Sequence, residues 1–201
     1  MNDNKITICG VGITGSKYPV SINKKHLKEY KTWTDMIYRC FDENKKKRQP
    51  RYKDVTCCDE WLNYENFYEW LHSQENFEQW LNGKRWNLDK DILIKGNKIY
   101  SPEACCLVPQ SVNILFVKNN KQRGDLPIGV GRSNNKFKSE YHASNYYVYL
   151  GVYETVEDAF LKYKNSKESY IKQVAQLEFD NGNITKRCYD AMMSYKVEID
   201  D

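Results

Sequence analysis

Long apolar runs are missing from this sequence of 201 residues, and no stretch approaches the roughly 20 residues that a membrane-spanning helix needs. The first residues also lack the basic-then-apolar layout of a secretory signal. Cys-x-x-Cys spacings are absent, although the chain has seven cysteines and two pairs of them are adjacent. We therefore expect no zinc site of that type, reduced thiols, no membrane partner and a location in the cytoplasm.

A strong excess of one charge is missing as well, since 31 Lys and Arg residues stand against 27 Asp and Glu residues. The net charge of +4 does not indicate nucleic-acid binding by itself. The cations do cluster in two runs, which we predict to be exposed loops because turn-type residues accompany them. The first run contains Lys45, Lys46, Lys47, Arg48, Arg51 and Lys53, and the second contains Lys118, Lys121, Arg123, Arg132, Lys136 and Lys138. Each run is either a solvated face or a phosphate-binding surface.

The first half of the chain reads as a short hairpin followed by helices. Glycines between Ile6 and Gly15 predict a hairpin within residues 5–20. Apolar residues at three-and-four spacing predict an amphipathic helix over residues 26–43. A basic loop over residues 44–54 should follow, and then a strand at 55–58 that leads into a second helix. We expect Trp61, Phe67 and Trp70 to pack on the first helix.

Residues 86–116 predict two strands, at 88–94 and 98–100, around the turn Lys95-Gly96-Asn97. The sequence Ser101-Pro102-Glu103 has the residue types of a helix start, and a second helix should begin near Pro109. The last third predicts strands near 128–130, 137–143 and 146–153. A helix capped by Thr155 should then run towards Ala175.

The central segment resembles the ββα finger of phage HNH-type (His-Me finger) homing endonucleases. The resemblance is carried by Leu88-Asp89-Lys90-Asp91-Ile92, Gly96-Asn97, Tyr100-Ser101-Pro102-Glu103 and Leu107-Val108-Pro109-Gln110-Ser111-Val112-Asn113. It implies a nuclease that hydrolyses phosphodiesters with one divalent metal ion, Mg²⁺ or Mn²⁺, and a general base.

The same resemblance assigns roles to individual residues. Asp89 would be the metal-binding carboxylate of the strand, Asn113 the metal ligand from the helix, and Asn97 the loop residue that orients the base. The position of the histidine base is occupied by Lys90, and His26, His72 and His142 all lie outside the motif. Protonated Lys90 would hold a phosphate, and Asp91 is the other candidate for the base. Alternatively, the Asp and Asn side chains only pin a tight turn through bonds to the backbone.

The C-terminal segment resembles the Apetala or ethylene-response-factor DNA-binding domain. The matching residues are Ile128-Gly129-Val130, Lys136-Phe137, Ala143, Tyr149-Leu150-Gly151-Val152-Tyr153-Glu154-Thr155 and Glu157-Asp158-Ala159-Phe160-Leu161-Lys162-Tyr163. Such domains lay a three-stranded sheet across the major groove of duplex DNA, with a helix bracing the other face. The residues that this resemblance assigns to DNA binding are Arg132, Lys136, Lys138 and Tyr141.

Together these patterns predict an α+β protein of two domains. Residues 1–117 would form an N-terminal helical segment with an HNH-like finger at about 86–116. Residues 126–201 would form a small three-stranded antiparallel sheet with a helix and a C-terminal helical extension. The first hypothesis is a metal-dependent endonuclease or nickase that binds double-stranded DNA. The alternatives are a DNA-binding protein that does not cut, and an interaction or anti-defence protein that binds a host or virion protein.

Overall fold

The computed structural model of the protein describes residues 7–117, 124–143 and 146–201. The chain divides into two compact units, the first ending at Leu107 and the second beginning at Val108. Helices and small sheets occur in both units, so the predicted α+β class is confirmed. Among the described residues, no helix is both long enough and apolar enough to cross a bilayer.

The first unit alternates short strands with helices. Its elements are β1 (Thr7–Ile8), β2 (Gly12–Ile13), β3 (Ser21–Ile22), β4 (Lys25–His26), α1 (Lys28–Phe41), α2 (Glu43–Arg48), β5 (Thr56–Cys57), α3 (Tyr64–His72), α4 (Phe77–Asn82), β6 (Trp86–Asp89) and β7 (Ile99–Tyr100), with β8 (Cys106–Pro109) crossing the boundary. Strands β1 and β2 pair antiparallel, as do β3 and β4, whereas β5 and β7 pair parallel. Strand β6 pairs with β8.

An aromatic core holds the first unit together. Helix α1 buries Trp33 completely, and the Trp33 indole Nε1–H donates to the carbonyl of Trp61 at 2.8 Å. The Trp61 ring meets Phe67 edge-on at 5.1 Å between centroids and lies 4.6 Å from Trp70. Burial of such rings, each worth about 1.5–3 kcal/mol, fixes α1 against α3. The predicted helix at residues 26–43 and the predicted role of Trp61 in its packing are thus confirmed.

The basic segment at residues 44–54 is not the loop that the sequence predicts. Asp42 caps helix α2, because its Oδ1 accepts the backbone N–H of Lys45 at 2.9 Å. Pro50 then opens a short 3-10 turn that runs to Tyr52. A helix N-cap and a first-turn acid, Glu43, precede the basic run, and these local signals outweigh the charge repulsion within it.

The segment from Asp89 to Cys105 also differs from its prediction. Strand β6 ends at Asp89, and residues 90–97 form bends and a turn instead of continuing the strand. Strand β7 pairs with β5, not with the strand before it. The predicted helix at Ser101 is a single turn, in which the N–H of Cys105 reaches the carbonyl of Ser101 at 2.9 Å. It stops there because the buried residues Cys106 to Val108 enter β8.

The second unit is a three-stranded sheet braced by a long helix. Its elements are α5 (Gln110–Asn113), β9 (Val130–Ser133), β10 (Lys136–His142), β11 (Tyr147–Tyr153), α6 (Val156–Asp180) and α7 (Lys186–Ser194). The strands are antiparallel in the order β11-β10-β9. Thr155 caps α6 as predicted, with its Oγ1 accepting the N–H of Asp158 at 3.1 Å. Tyr163 and Phe160 of α6 pack on the sheet through Val130.

Candidate functional site

The loop between β6 and β7, residues 89–100, is the segment that carries the nuclease resemblance. Asp89 begins it and is 8% exposed. Its Oδ1 accepts two backbone N–H groups, from Asp91 at 2.9 Å and from Ile92 at 2.8 Å. Burial, reinforced by the nearby charge of Asp91, raises the pKa of the Asp89 carboxyl to about 6, although the two hydrogen bonds oppose the rise. Asp89 therefore anchors the start of the loop.

Asn97 closes the other end of this loop. Its Nδ2 donates to the carbonyls of Lys90 and Ile99, both at 2.6 Å, and its Oδ1 accepts the N–H of Ile99 at 3.2 Å. The preceding turn needs a glycine, because Gly96 has a φ of +79° and the N–H of Asn97 bonds back to Ile94. Asn97 thus makes the backbone bonds of a turn-pinning residue, which the sequence left open as one of two alternatives.

Lys90 is held inside the loop by its charged end. Its side chain is 12% exposed, and Nζ lies 3.3 Å from Oδ2 of Asp91 and 3.2 Å from the carbonyl of Asn97. Strand alternation predicted that Asp91 would lie beside Asp89 and opposite Lys90. Because the strand ends at Asp89, that alternation does not continue, and Asp91 pairs with Lys90.

A cation–tyrosine contact that sequence reasoning missed lies next to this loop. Nη1 of Arg39 donates to the Tyr100 hydroxyl at 3.0 Å, and Arg39 also pairs with Asp35. Burial raises the pKa of Tyr100 despite the neighbouring guanidinium. The Lys90 ammonium lies 6.0 Å from the same ring. Arg39 comes from α1, 61 residues before Tyr100, and no local spacing could have linked them.

The described residues do not present a metal centre at this loop. Asp89 is buried, its Oδ1 accepts two backbone N–H groups, and the Asp91 carboxylate is paired with Lys90. Asn113 lies in the second unit, at the end of α5, and is half-buried. Within residues 7–117, 124–143 and 146–201, no three His, Cys, Asp or Glu side chains gather as a metal-binding group.

The sheet of the second unit has one face against α6 and one face open to solvent. Side chains alternate along β10, so that Phe137, Ser139 and Tyr141 point towards the helix. The opposite face, called the open face below, follows from the strand register: Lys136, Lys138, Glu140 and His142 of β10 with Tyr147, Tyr149 and Val152 of β11. Tyr147 is 49% exposed and Tyr149 is 56% exposed.

The cations of the open face are paired with carboxylates. Lys136 bonds Glu154, and Nζ of Lys138 lies 2.8 Å from Oε1 of Glu140. Partial burial favours a higher pKa for Glu140, but the hydrogen bonds from Lys138 and Tyr147 outweigh it and keep the pKa below its ordinary value. The bond to Glu140 in turn raises the pKa of Tyr147 to about 12. The face is therefore aromatic and balanced in charge.

Of the four residues assigned to DNA binding, Lys136 and Lys138 lie on the open face and the other two do not. Tyr141 packs against α6, where its ring lies 5.9 Å from that of Tyr170 and its hydroxyl accepts from Ser166 at 3.4 Å. Arg132 is in register with Phe137 on the helix side, although its exposed guanidinium pairs with Asp125 at 3.5 Å. Lys118, Lys121 and Arg123 of the second basic run lie outside the described residues.

Comparisons with known proteins add no relative: no family model matches this sequence, and no match was found among curated proteins or solved structures.

Proposed function

We propose that the protein binds double-stranded DNA through the open face of the β9–β11 sheet, on an HNH-like scaffold that does not cleave it. The observation that carries the proposal is the sheet itself, which α6 braces on one side and leaves uncovered on the other. Strands are one of the two elements that fit the major groove of B-form DNA. Lysines suit its phosphates, and exposed tyrosines add donors and apolar contact area.

The carboxylate partners of Lys136 and Lys138 do not prevent such binding. The four side chains of these two pairs are between 25% and 73% exposed. Exposed ion pairs contribute only about 0–1 kcal/mol, so a lysine can exchange its carboxylate for a phosphate. The ion pairs keep the lysines ordered, and they keep the open face near neutral in charge when no DNA is bound.

The central segment supports the scaffold part of the proposal. Strands β6 and β8 pair with each other and α5 follows β8 directly along the chain, so that, apart from β7 in the connection between the strands, the elements follow the order of a ββα finger. The loop between the two strands holds the polar residues of the resemblance. Asp89 and Asn97 bond the loop backbone, as in a retained scaffold, and Lys90 pairs with Asp91.

Metal-dependent cleavage is the second candidate function, and only this strand–strand–helix order favours it. A metal ligand needs an accessible carboxylate oxygen, whereas Asp89 is buried and caps the loop. Lys90 pairs with Asp91, the other candidate for the base, at 3.3 Å. The side chains around Asp89 do not fit the metal, and we assign no catalytic step to them.

Binding is tested with the full chain and a short labelled DNA duplex over a series of salt concentrations. Lys136→Glu and Lys138→Glu together should weaken binding about tenfold or more near 0.1 M salt, because phosphate contacts become repulsions. The matched control is Lys84→Glu with Lys162→Glu, two exposed lysines outside the β9–β11 sheet, which change the net charge by the same amount. Equal affinity of the double variant and the wild type would contradict the proposed face. Absence of any salt-dependent binding would favour a protein partner instead.

Cleavage is tested by incubating the same protein with supercoiled plasmid and Mg²⁺ or Mn²⁺. We expect bound but intact plasmid. Nicking that disappears in Asp89→Asn, which retains an oxygen for the loop bonds, would contradict the non-cleaving part of the proposal. Nicking that persists in that variant would point to a contaminating nuclease.

A further inference from the structure

The basic run of the first unit is a folded surface that the proposed function does not use. Helix α2 and the 3-10 turn after it bury no residue. Two of the six cations form ion pairs: Lys45 with Asp35, and Lys46 with Glu43 at 3.8 Å. The remaining four are Lys47, Arg48, Arg51 and Lys53, which we call the α2 ridge.

The charges of the α2 ridge are exposed and not neutralised. All four side chains are exposed, and none of them pairs with a carboxylate in the described part of the chain. Nε of Arg48 donates to the carbonyl of Asn44 at 3.3 Å, and Nη2 of Arg51 donates to Oε1 of Gln49 at 3.0 Å. Both acceptors are uncharged, so four positive charges remain within seven residues of chain.

Local structure accounts for only part of this cluster. Cations in the last turn of a helix offset the partial negative charge of its free carbonyls, which explains Lys47 and Arg48. Arg51 and Lys53 lie beyond the helix. The Arg51 guanidinium lies 4.9 Å from the Tyr52 ring, a contact that fixes it at the surface without neutralising it. Mutual repulsion among the four charges falls when an anion binds them.

We propose that the α2 ridge binds the phosphates of a nucleic-acid backbone without regard to base sequence. This inference rests on the proposed DNA binding and adds a second contact surface, in the first unit. A phosphodiester backbone supplies repeated negative charge, and arginine binds phosphate with two parallel donors. The ridge offers no large exposed apolar side chain, which the core of a protein interface needs.

The experiment measures how the affinity of the full chain for duplex DNA depends on salt. The variant replaces all four ridge residues by alanine. The matched control replaces four exposed lysines outside the ridge: Lys24, Lys25, Lys84 and Lys162. Each phosphate contact contributes about 0.9 to the slope of log K against log salt, so the ridge variant should lose roughly 3–4 from that slope. The control should lose clearly less, and both variants should keep the wild-type circular dichroism spectrum and melting temperature.

The outcomes separate the ridge from the sheet. The ridge variant should lose the same amount of salt slope on two duplexes of unrelated sequence. A ridge variant that keeps the wild-type slope, while the Lys136→Glu and Lys138→Glu variant loses affinity, overturns the ridge and leaves the proposed function intact. If the ridge variant loses salt slope while the Lys136→Glu and Lys138→Glu variant keeps the wild-type affinity, the result supports the ridge as a DNA-binding surface and overturns the open face as one. If the ridge binds vesicles of anionic lipid but no duplex, or if the wild type binds no DNA, this inference is overturned.

Discussion

In the 89–100 loop, Asp89 and Asn97 bond the loop's own backbone, whereas on the open face of the sheet the polar side chains pair with each other at a partly exposed surface. Asp89 and Asn97 together accept or donate five such bonds. Lys138 and Glu140 bond each other, and Glu140 also accepts from the Tyr147 hydroxyl. Both regions carry residues that a motif marks as functional. The difference is that Asp89 and Asn97 satisfy backbone groups of the fold, whereas Lys138 and Glu140 bond other side chains of the face.

This contrast follows from what lies behind each region. The open face rests on the apolar layer between sheet and helix, which supplies the stability of the unit. The 89–100 loop has little regular structure, so side chains must satisfy its buried N–H groups. Substitutions should therefore affect stability in the loop, and binding on the face.

The largest effect on stability should come from the layer behind the face. Gly129 has a φ of +78°, and a Cβ there would lie 2.0 Å from the Tyr163 ring. Gly129→Ala should destabilise the second unit by roughly 2–4 kcal/mol, combining an unfavourable backbone conformation with overpacking. Tyr149→Ala on the open face should change the free energy of unfolding by less than about 0.5 kcal/mol. Chemical denaturation measures both, and a similar loss in the two variants would remove the contrast.

The next largest effect should come from Asp89 in the loop. Asp89→Ala leaves the N–H groups of Asp91 and Ile92 without an acceptor and should cost about 1–3 kcal/mol. Asp89→Asn keeps an oxygen for them and should cost little at neutral pH. An alanine variant as stable as the wild type would show that the carboxylate does not anchor the loop.

The pH dependence of stability tests the same carboxyl. Its pKa rises from 3.8 to about 6 on folding, mainly through burial, so the folded protein binds this proton more tightly than the unfolded chain. The favourable contribution is full below about pH 4 and is lost as the pH rises to about 6. Between these two pH values, the denaturation midpoint of the wild type should fall, and that of Asp89→Asn should not show this fall. Parallel curves for the two proteins would contradict the assigned burial of the charge.

The sequence predicted best where local pattern and tertiary packing agree. Helix α1 and the Thr155 cap of α6 follow from apolar spacing and cap chemistry, and the tertiary contacts reinforce both. The sequence does not predict helix α2, because a charge run with Pro50 is typical of a loop, while the cap at Asp42 decides the conformation. At Ser101 the helix-start residues are present, yet burial of the following apolar residues in β8 ends the helix after one turn.

The candidate site was harder to predict, because spacing does not specify which partner a polar group will find. The basic run predicts a loop at Lys136 and Lys138 and the resemblance predicts a sheet, and both residues lie in β10. Glu140 follows Lys138 by two residues on the same strand, whereas the pairing of Lys136 with Glu154 depends on the strand register. Tyr141 lies on the same strand, but its side chain points to the opposite face of the sheet and packs in the core. The Arg39–Tyr100 contact joins elements far apart in the chain. The alternation of side chains along a strand therefore predicts which residues lie on the open face and which lie in the core. Charge pairs between distant elements become visible only in the folded structure.

The smallest expected effect concerns the carboxylates that pair with the lysines of the open face. If Glu140 and Glu154 hold back Lys138 and Lys136, then Glu140→Gln with Glu154→Gln should raise DNA affinity about three- to tenfold at low salt, and less at high salt. The matched control is Glu75→Gln with Glu103→Gln, two exposed acids of the first unit. Fluorescence anisotropy on one duplex compares the two double variants. If both double variants gained DNA affinity equally, net charge alone would set the affinity. The carboxylates of the open face would then have no specific effect on its lysines.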